Sequence, residues 1–321
     1  MGNGTTQRHR LLGLAGAIAI ACAACTQPSP QASTQAGPQA GTPDADAAPV
    51  ASPDVHRFAI GALPAAVLRD GDITLPNDGS IVAMGQPKAE VDALLTAAGE
   101  PADPLRLAIQ ALLVEAGERV VLFDTGAGAA EWADGGRLPQ SLRAAGFEPA
   151  QVTDVFISHA HQDHVGGLVD GAGQPAFPNA TVRLSEPEWS ALQADEGQAA
   201  LARAIAPQVQ AFAPGAQDVV PGVSALAVDG HTPGHSAYLV GEGEARLLYI
   251  GDSAHHHVIS VQRPRWTIQF DRDAPLAEDS REALLARAAD EALPVHSPHF
   301  PFPGVGRVER RDAGYAWVPA P

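Results

Sequence analysis

At 321 residues the chain carries 37 acidic side chains against 20 basic ones, a net charge of −17, with Lys88 its single lysine. That balance excludes nucleic acid and anionic membrane surfaces as partners, and it disfavours polyanionic substrates. Both cysteines, Cys22 and Cys25, fall in the first 25 residues, so the chain beyond them holds no disulfide.

The N-terminal segment reads as an export signal. Arg8, His9 and Arg10 precede an apolar run, Leu11–Ala21, that is short for a membrane span. Residues 1–25 are therefore expected to be a secretory or lipoprotein signal. Cys25 after Ala23-Ala24 is the first candidate for lipidation, Cys22 the second, and simple cleavage the plain alternative. The protein is then expected in the periplasm, or anchored to a bacterial membrane only through a lipidated N-terminal cysteine. Residues 26–55, rich in Pro, Ala and Gln, cannot offset their ordering entropy and are predicted to be a disordered tether. Residues 56–321 suffice for one large α/β domain.

Within that domain, Phe58–Leu75 predicts an antiparallel pair, and 106–115 with 120–123 a hairpin around Gly117. Residues 138–145 and 187–193 have helical apolar spacing; 198–209 and 279–292 predict longer helices. Alternation of strands with helices points to two sheets sandwiched between helical layers.

Four short stretches concentrate metal-ligand residue types. In His159-Ala160-His161-Gln162-Asp163-His164, two histidines spaced by two leave an extended backbone on one side. Asp163 and His164 follow where the chain turns and can face a second position. Gly230-His231-Thr232-Pro233-Gly234-His235 puts histidines on a tight turn between apolar runs. Leu247–Ile250 ends on Gly251-Asp252, and Val295 leads into His296-Ser297-Pro298-His299. All four come after strand-like runs, where open sheets place their ligands. Imidazole and carboxylate together suit zinc and similar divalent ions.

This series, with Asp124-Thr125-Gly126 after Val120–Phe123, resembles the metallo-β-lactamase superfamily. Within it, Asp163–Leu168, Ala176–Ala180 and Phe300–Gly306 resemble the methyl parathion hydrolase group. The resemblance implies the superfamily's αββα sandwich over residues 56–321, built of two αβ halves meeting near residues 205–220, and two divalent ions, zinc by default. His159, His161 and His235 would hold the first, and Asp163, His164 and His299 the second. Asp252 would bridge both, and a shared hydroxide would be the nucleophile, with Asp163 and Asp252 its catalytic carboxylates. His231 is expected to hydrogen-bond a ligand, His255, His256 and His257 to form a solvated loop at the mouth, and His296 to be structural. Gly166 and Gly167 would let the backbone pass close to the metals and the neighbouring strand, with a plain turn as the alternative.

The implied activity is hydrolysis of a small, neutral, partly apolar ester. Phosphotriesters and aryl esters come first, lactones are the alternative, and a non-catalytic metal-binding lipoprotein is the reading from another class. Trp189 and Phe302 are the first candidates for an aromatic substrate wall, with Phe177, Phe212, Trp266 and Phe270 behind them. Lactonases of the superfamily use a pocket tyrosine, whereas Tyr238 and Tyr249 are expected to be buried in strands. A homodimer, as in the related group, is the expected assembly.

Overall fold

The computed structural model describes residues 52–311 and 314–321. The signal and tether expectations fall almost entirely outside them. Two six-stranded sheets run in chain order. The first comprises β1 (Val55–Ile60), β2 (Leu63–Leu75), β3 (Leu105–Ala116), β4 (Arg119–Phe123), β5 (Asp154–Phe156) and β6 (Thr181–Arg183). The second comprises β7 (Val223–Ala227), β8 (Ser236–Glu242), β9 (Ala245–Tyr249), β10 (Pro294–His296), β11 (Val305–Arg311) and β12 (Gly314–Pro319). Both sheets are mixed. Antiparallel meanders β1–β4 and β7–β9 each lead into a parallel neighbour, β4 with β5 and β9 with β10. The helices are α1 (Lys88–Ala97), α2 (Leu138–Ala144), α3 (Gln162–Val165), α4 (Glu186–Ala194), α5 (Ala199–Ile205), α6 (Ile259–Gln262) and α7 (Ala274–Asp290).

Strand periodicity builds the layers. On β3, Leu112 and Val114 face the second sheet, joining Phe123, Phe156, Tyr238, Val240 and Tyr249 in one buried cluster. Their neighbours Ala111 and Leu113 point the other way, onto Leu138 and Leu142 of α2, Leu192 of α4 and Ile205 of α5. The second sheet repeats the scheme: Leu239, Leu248 and Val295 turn their backs on that cluster and pack against Leu284, Leu285 and Ala288 of α7. The result is helices, sheet, sheet, helices. Aromatic rings fill the middle: Phe123 lies 5.3 Å from Phe156, and Phe156 meets Tyr238 edge-on at 5.2 Å. Each such pair contributes about 0.5–1.5 kcal/mol beyond its buried area.

Two helices differ from expectation. The helix predicted over 198–209 stops at Ile205 and passes into a tight 3₁₀ turn, because Pro207 has no N–H to continue the ladder. The helix predicted from 279 starts at Ala274. Its signal is the cap rather than the apolar spacing: the Asp273 carboxylate accepts from the Leu276 N–H, and Pro275 occupies the first turn. The halves join between β6 and β7, the interval that contains the boundary implied by the resemblance.

Candidate metal centre

The ligand-type residues all leave the carboxyl ends of strands: His159 follows β5, His231 follows β7, Asp252 follows β9 and His299 follows β10. They converge into two groups. His159, His161, His231 and Asp252 form one; Asp163, His164, Asp252 and His299 form the other. Asp252 belongs to both, each oxygen turned to one group. Its Oδ2 lies 3.5 Å from His159 Nε2 and 3.4 Å from His231 Nε2. Its Oδ1 lies 3.1 Å from His164 Nε2 and 3.0 Å from His299 Nε2. Asp163 Oδ2 completes the second group, 3.6 Å from His164 Nε2 and 3.4 Å from His299 Nε2.

The member of the first group from the Gly-His-Thr-Pro-Gly-His turn is His231, and this corrects the expectation for His235. His231 Nε2 sits 3.2 Å from His159 Nε2 and 3.1 Å from His161 Nδ1. The His235 ring is turned away from the group and holds its backbone: His235 Nε2 accepts the Asp252 N–H at 2.9 Å. The exchange of roles is steric. Gly251, with φ +50°, brings the β9 exit so close that a Cβ there would stand 2.6 Å from His235 Nε2. That approach occupies the nitrogen a metal would need.

The tautomers follow from partners that can only accept. His231 Nδ1–H donates to Asp271 Oδ1 at 2.9 Å, His164 Nδ1–H to Asp124 Oδ2 at 2.7 Å, and His299 Nδ1–H to the Ala108 carbonyl at 2.7 Å. Ser158 Oγ donates its single proton to Asp124 Oδ2 at 2.7 Å, so it accepts from His159 Nδ1–H at 3.0 Å. Four imidazoles thereby aim bare Nε2 lone pairs inward. Among the described residues, His164 Nε2 and Asp252 Oδ1, both buried, have no hydrogen-bond partner. Lone pairs 3.0–3.6 Å apart repel unless a cation joins them. Ligands about 2.0–2.1 Å from a tetrahedral zinc stand about 3.3 Å from one another, so the donor set fits two such ions.

Electrostatics divides the histidines. Burial, and behind it the proximity of His164, holds His159 well below its usual pKa, and burial with His231 lowers His161 to about 4. Burial also opposes charge on His164, His231 and His299, but carboxylates outweigh it and raise all three: Asp252 with Asp163 and Asp124, Asp252 with Asp271, and Asp252 with Asp163, respectively. Protons and cations compete for these nitrogens, and metal binding displaces the protons.

The loops are knitted by buried carboxylates that carry no signal of this role in the sequence. Glu188 of α4 accepts from the Ala160 N–H, the Thr232 hydroxyl and the Gly234 N–H at 2.7–2.8 Å, tying both histidine loops to one helix. Asp271, partner of His231, also receives the buried Arg281 guanidinium at 2.7 Å, and Arg281 donates to the Ser253 carbonyl beside Asp252 at 2.7 Å. Only Asp124 had a local signal, its place after an apolar strand. Gly166 and Gly167 pass against the Ala127 and Thr125 carbonyls, where a Cβ would come within 2.3 and 2.1 Å. The close approach is to the Asp124 turn, not to the ligands.

Over the second group opens a pocket of about 270 Å³. Ile73, Leu75, Leu107, Trp132 and Phe270 wall it, with Asp163, Asp252 and His299 at its floor. Of the aromatic candidates only Phe270 stands there. Trp189 packs half-buried between the first sheet and its helices, and Phe302 lies under the Arg69 guanidinium in a separate depression. Trp132, 52% exposed, was missed because it lies in a glycine-rich loop without periodicity. The loop expected to be solvated is instead wall: His255 and His256 are buried, and His255 Nε2 lies 3.2 Å from Asp252 Oδ2. His256 Nδ1 accepts the Val258 and Ile259 N–H groups at the start of α6. His296 is buried and stacked on Tyr249, as a structural residue would be.

This arrangement is that of a binuclear metallohydrolase. The family model of the metallo-beta-lactamase superfamily matches residues 105–299, and the chain belongs to that superfamily. An N-acyl homoserine lactonase of a Bacillus species is 34% identical over 105 residues, 32% of this chain and 39% of that protein. One of Bacillus cereus is 28% identical over 183 residues, 51% of this chain and 68% of that protein. Among solved structures, AidC, a dizinc quorum-quenching lactonase in complex with a product, superposes with a TM-score of 0.78 at 30% identity, covering 83% of this chain and 97% of that one. The hydrolase AbOPH, of the beta lactamase superfamily, gives 0.76 at 28% identity, covering 84% and 99%.

Proposed function

We propose that the protein is a dizinc lactonase acting on neutral lactones with an apolar arm, N-acyl homoserine lactones among them. The observation that carries this reading is the pocket itself: among the described residues its lining has no lysine or arginine, and five apolar side chains line it together with the shared carboxylate. At about 270 Å³ it lies just under the size of drug-sized sites, suited to a small ring and a short acyl chain. The likeness to AidC at 30% identity over nearly its whole length supports the same class.

When bound, two zinc ions supply an activated water at neutral pH and Lewis acidity toward an ester carbonyl. The chain supplies the rest. Asp252 holds both groups in register, one oxygen to each. Asp163 and His299 set the floor on which the ester sits. Trp132 and Phe270 exclude bulk water from it and take the apolar arm. The buried hydroxyls of Tyr238 and Tyr249 are committed to the Ile157 carbonyl and to Asp124, so neither tyrosine serves the pocket.

Phosphotriester hydrolysis, with aryl-ester hydrolysis, is the second reading, supported by the resemblance of Phe300–Gly306 and its companion stretches to the methyl parathion hydrolase group. Zinc-loaded protein should be assayed on N-hexanoyl homoserine lactone, paraoxon, nitrophenyl acetate and a cephalosporin. The lactone is expected to give the highest kcat/KM. Preference for paraoxon would favour the second reading, and preference for the cephalosporin would overturn both. Asp252→Asn is expected to abolish turnover in a folded protein.

A further inference from the structure

The last side chain of β9 takes no part in the proposed hydrolysis, yet its hydroxyl reaches the partner of a metal-binding histidine. Tyr249 is fully buried between the sheets, its ring 5.4 Å from Phe123 and stacked at 5.3 Å on His296. Its hydroxyl crosses from the second sheet to the first and donates to Asp124 Oδ2 at 2.7 Å. The same oxygen accepts His164 Nδ1–H and the Ser158 hydroxyl, each at 2.7 Å, and Asp124 Oδ1 accepts the Ser158 N–H at 2.7 Å. Burial, and then the charge of Asp124, push the phenol well above its usual value, so the hydroxyl keeps its proton and acts as a donor. Asp124 itself holds a left-handed conformation, φ +58°, at a turn where an L side chain needs external support. Three residues beyond Tyr249 on the same chain exit lies Asp252, the carboxylate common to both groups.

We infer that Tyr249 is a positioning residue for the second ligand group, fixing His164 through Asp124 in register with Asp252. One hydrogen bond joins the strand that delivers Asp252 to the carboxylate that orients His164. The two halves of the second group, drawn from different sheets, are thereby locked at a set separation. Tyr238 supplies an internal comparison: its hydroxyl also crosses between sheets, to the Ile157 carbonyl at 2.6 Å, but touches no partner of a ligand.

The inference rests on the two-metal reading, and the test separates them. The full chain, stripped by chelator, is titrated with zinc against a chromophoric chelator, and separately with cobalt(II) followed by its visible absorption. Removing the partner of a metal-binding histidine typically weakens metal binding about 10–100-fold. Tyr249→Phe is expected to weaken the second zinc by about tenfold while the first stays within about threefold, and to alter the cobalt spectrum of the second site. Tyr238→Phe is expected to lower the melting temperature and leave both constants unchanged. Equal melting losses in the two variants with both zinc constants intact would reduce Tyr249 to a packing residue and overturn the inference alone. A wild-type chain that takes up no second zinc would overturn the two-metal reading as well. Should Tyr249→Phe not accumulate as folded protein, Asp124→Asn asks the same question. It leaves an acceptor for the tyrosine but a weaker partner for His164, and selective loss of the second zinc is again expected; unchanged affinity would overturn the inference.

Discussion

Replacing His231 by alanine removes one of the four donors of the first group while sparing the frame around it. Asp271, its hydrogen-bond partner, keeps the Arg281 guanidinium at 2.7 Å, so its buried charge stays paired and the variant is expected to fold. Four-ligand zinc sites are worth about 10–16 kcal/mol, or about 2.5–4 kcal/mol per ligand if shared equally, which converts to roughly a hundred- to a thousandfold in affinity. His235→Ala acts differently. It leaves the buried Asp252 N–H without its acceptor, a loss of about 1–3 kcal/mol in folding stability, while all seven donors of the two groups remain. Metal content by mass spectrometry after dialysis against a weak chelator distinguishes the two. His231→Ala is expected to retain one ion per chain, and His235→Ala two, with a lowered denaturation midpoint. A His235→Ala protein holding one ion beside a His231→Ala protein holding two would refute the assignment drawn from this geometry.

Other consequences are open to measurement. Asp271→Asn breaks a buried pair with Arg281 and weakens the acceptor of His231; about 3 kcal/mol of stability and at least about tenfold in the first zinc's affinity are expected to go, read by denaturant unfolding and zinc titration. Phe270→Ala and Trp132→Ala are expected to lower kcat/KM for acyl lactones by about tenfold each, about 1.4 kcal/mol, whereas Phe302→Ala and Trp189→Ala leave KM unchanged. Asp154 titrates below its usual range: burial pushes it up, but hydrogen bonds from Arg183, Thr153 and Arg119 outweigh burial. Its contribution is present above the unfolded carboxylate value of about 3.9 and is lost as pH falls through the lower folded one. Asp154→Asn should therefore flatten the acid limb of a stability–pH curve measured below about pH 4.

What the residues disclose before folding divides along a physical line. The hairpins of the first sheet and the strands that lead into the ligand stretches follow from apolar runs, which are local; β6, β11, β12 and the order of strands do not. So do His159, His161, Asp163 and His164, whose spacing reflects one strand exit and one turn. His231 and His235 sit four apart on a single tight turn, and nothing local says which ring faces inward. The decision is made by Gly251 and Asp252, which crowd His235 from another strand, and by Asp271, which orients His231 from forty residues away. The pocket wall is illegible for the same reason. Trp132 and Phe270 lie in irregular loops, and only the approach of Ile73, Leu75 and Leu107 from the first sheet makes them a cavity. The buried His255 looks polar and loop-like in sequence, and it is tertiary enclosure that turns it inward.

Each ligand group is drawn from both sheets: His159 and His161 with His231 and Asp252, Asp163 and His164 with Asp252 and His299. The ions therefore act as rivets across a seam that hydrocarbon contacts, two phenol bridges and hydrogen bonds such as those of Glu188 and Gln110 also hold. At a free zinc concentration about a hundred times the dissociation constant, each rivet adds about 2.7 kcal/mol to the cohesion of the halves. A chain starved of zinc is thus idle and also easier to prise apart, so metal supply in its surroundings governs how long each molecule survives as well as how fast it works.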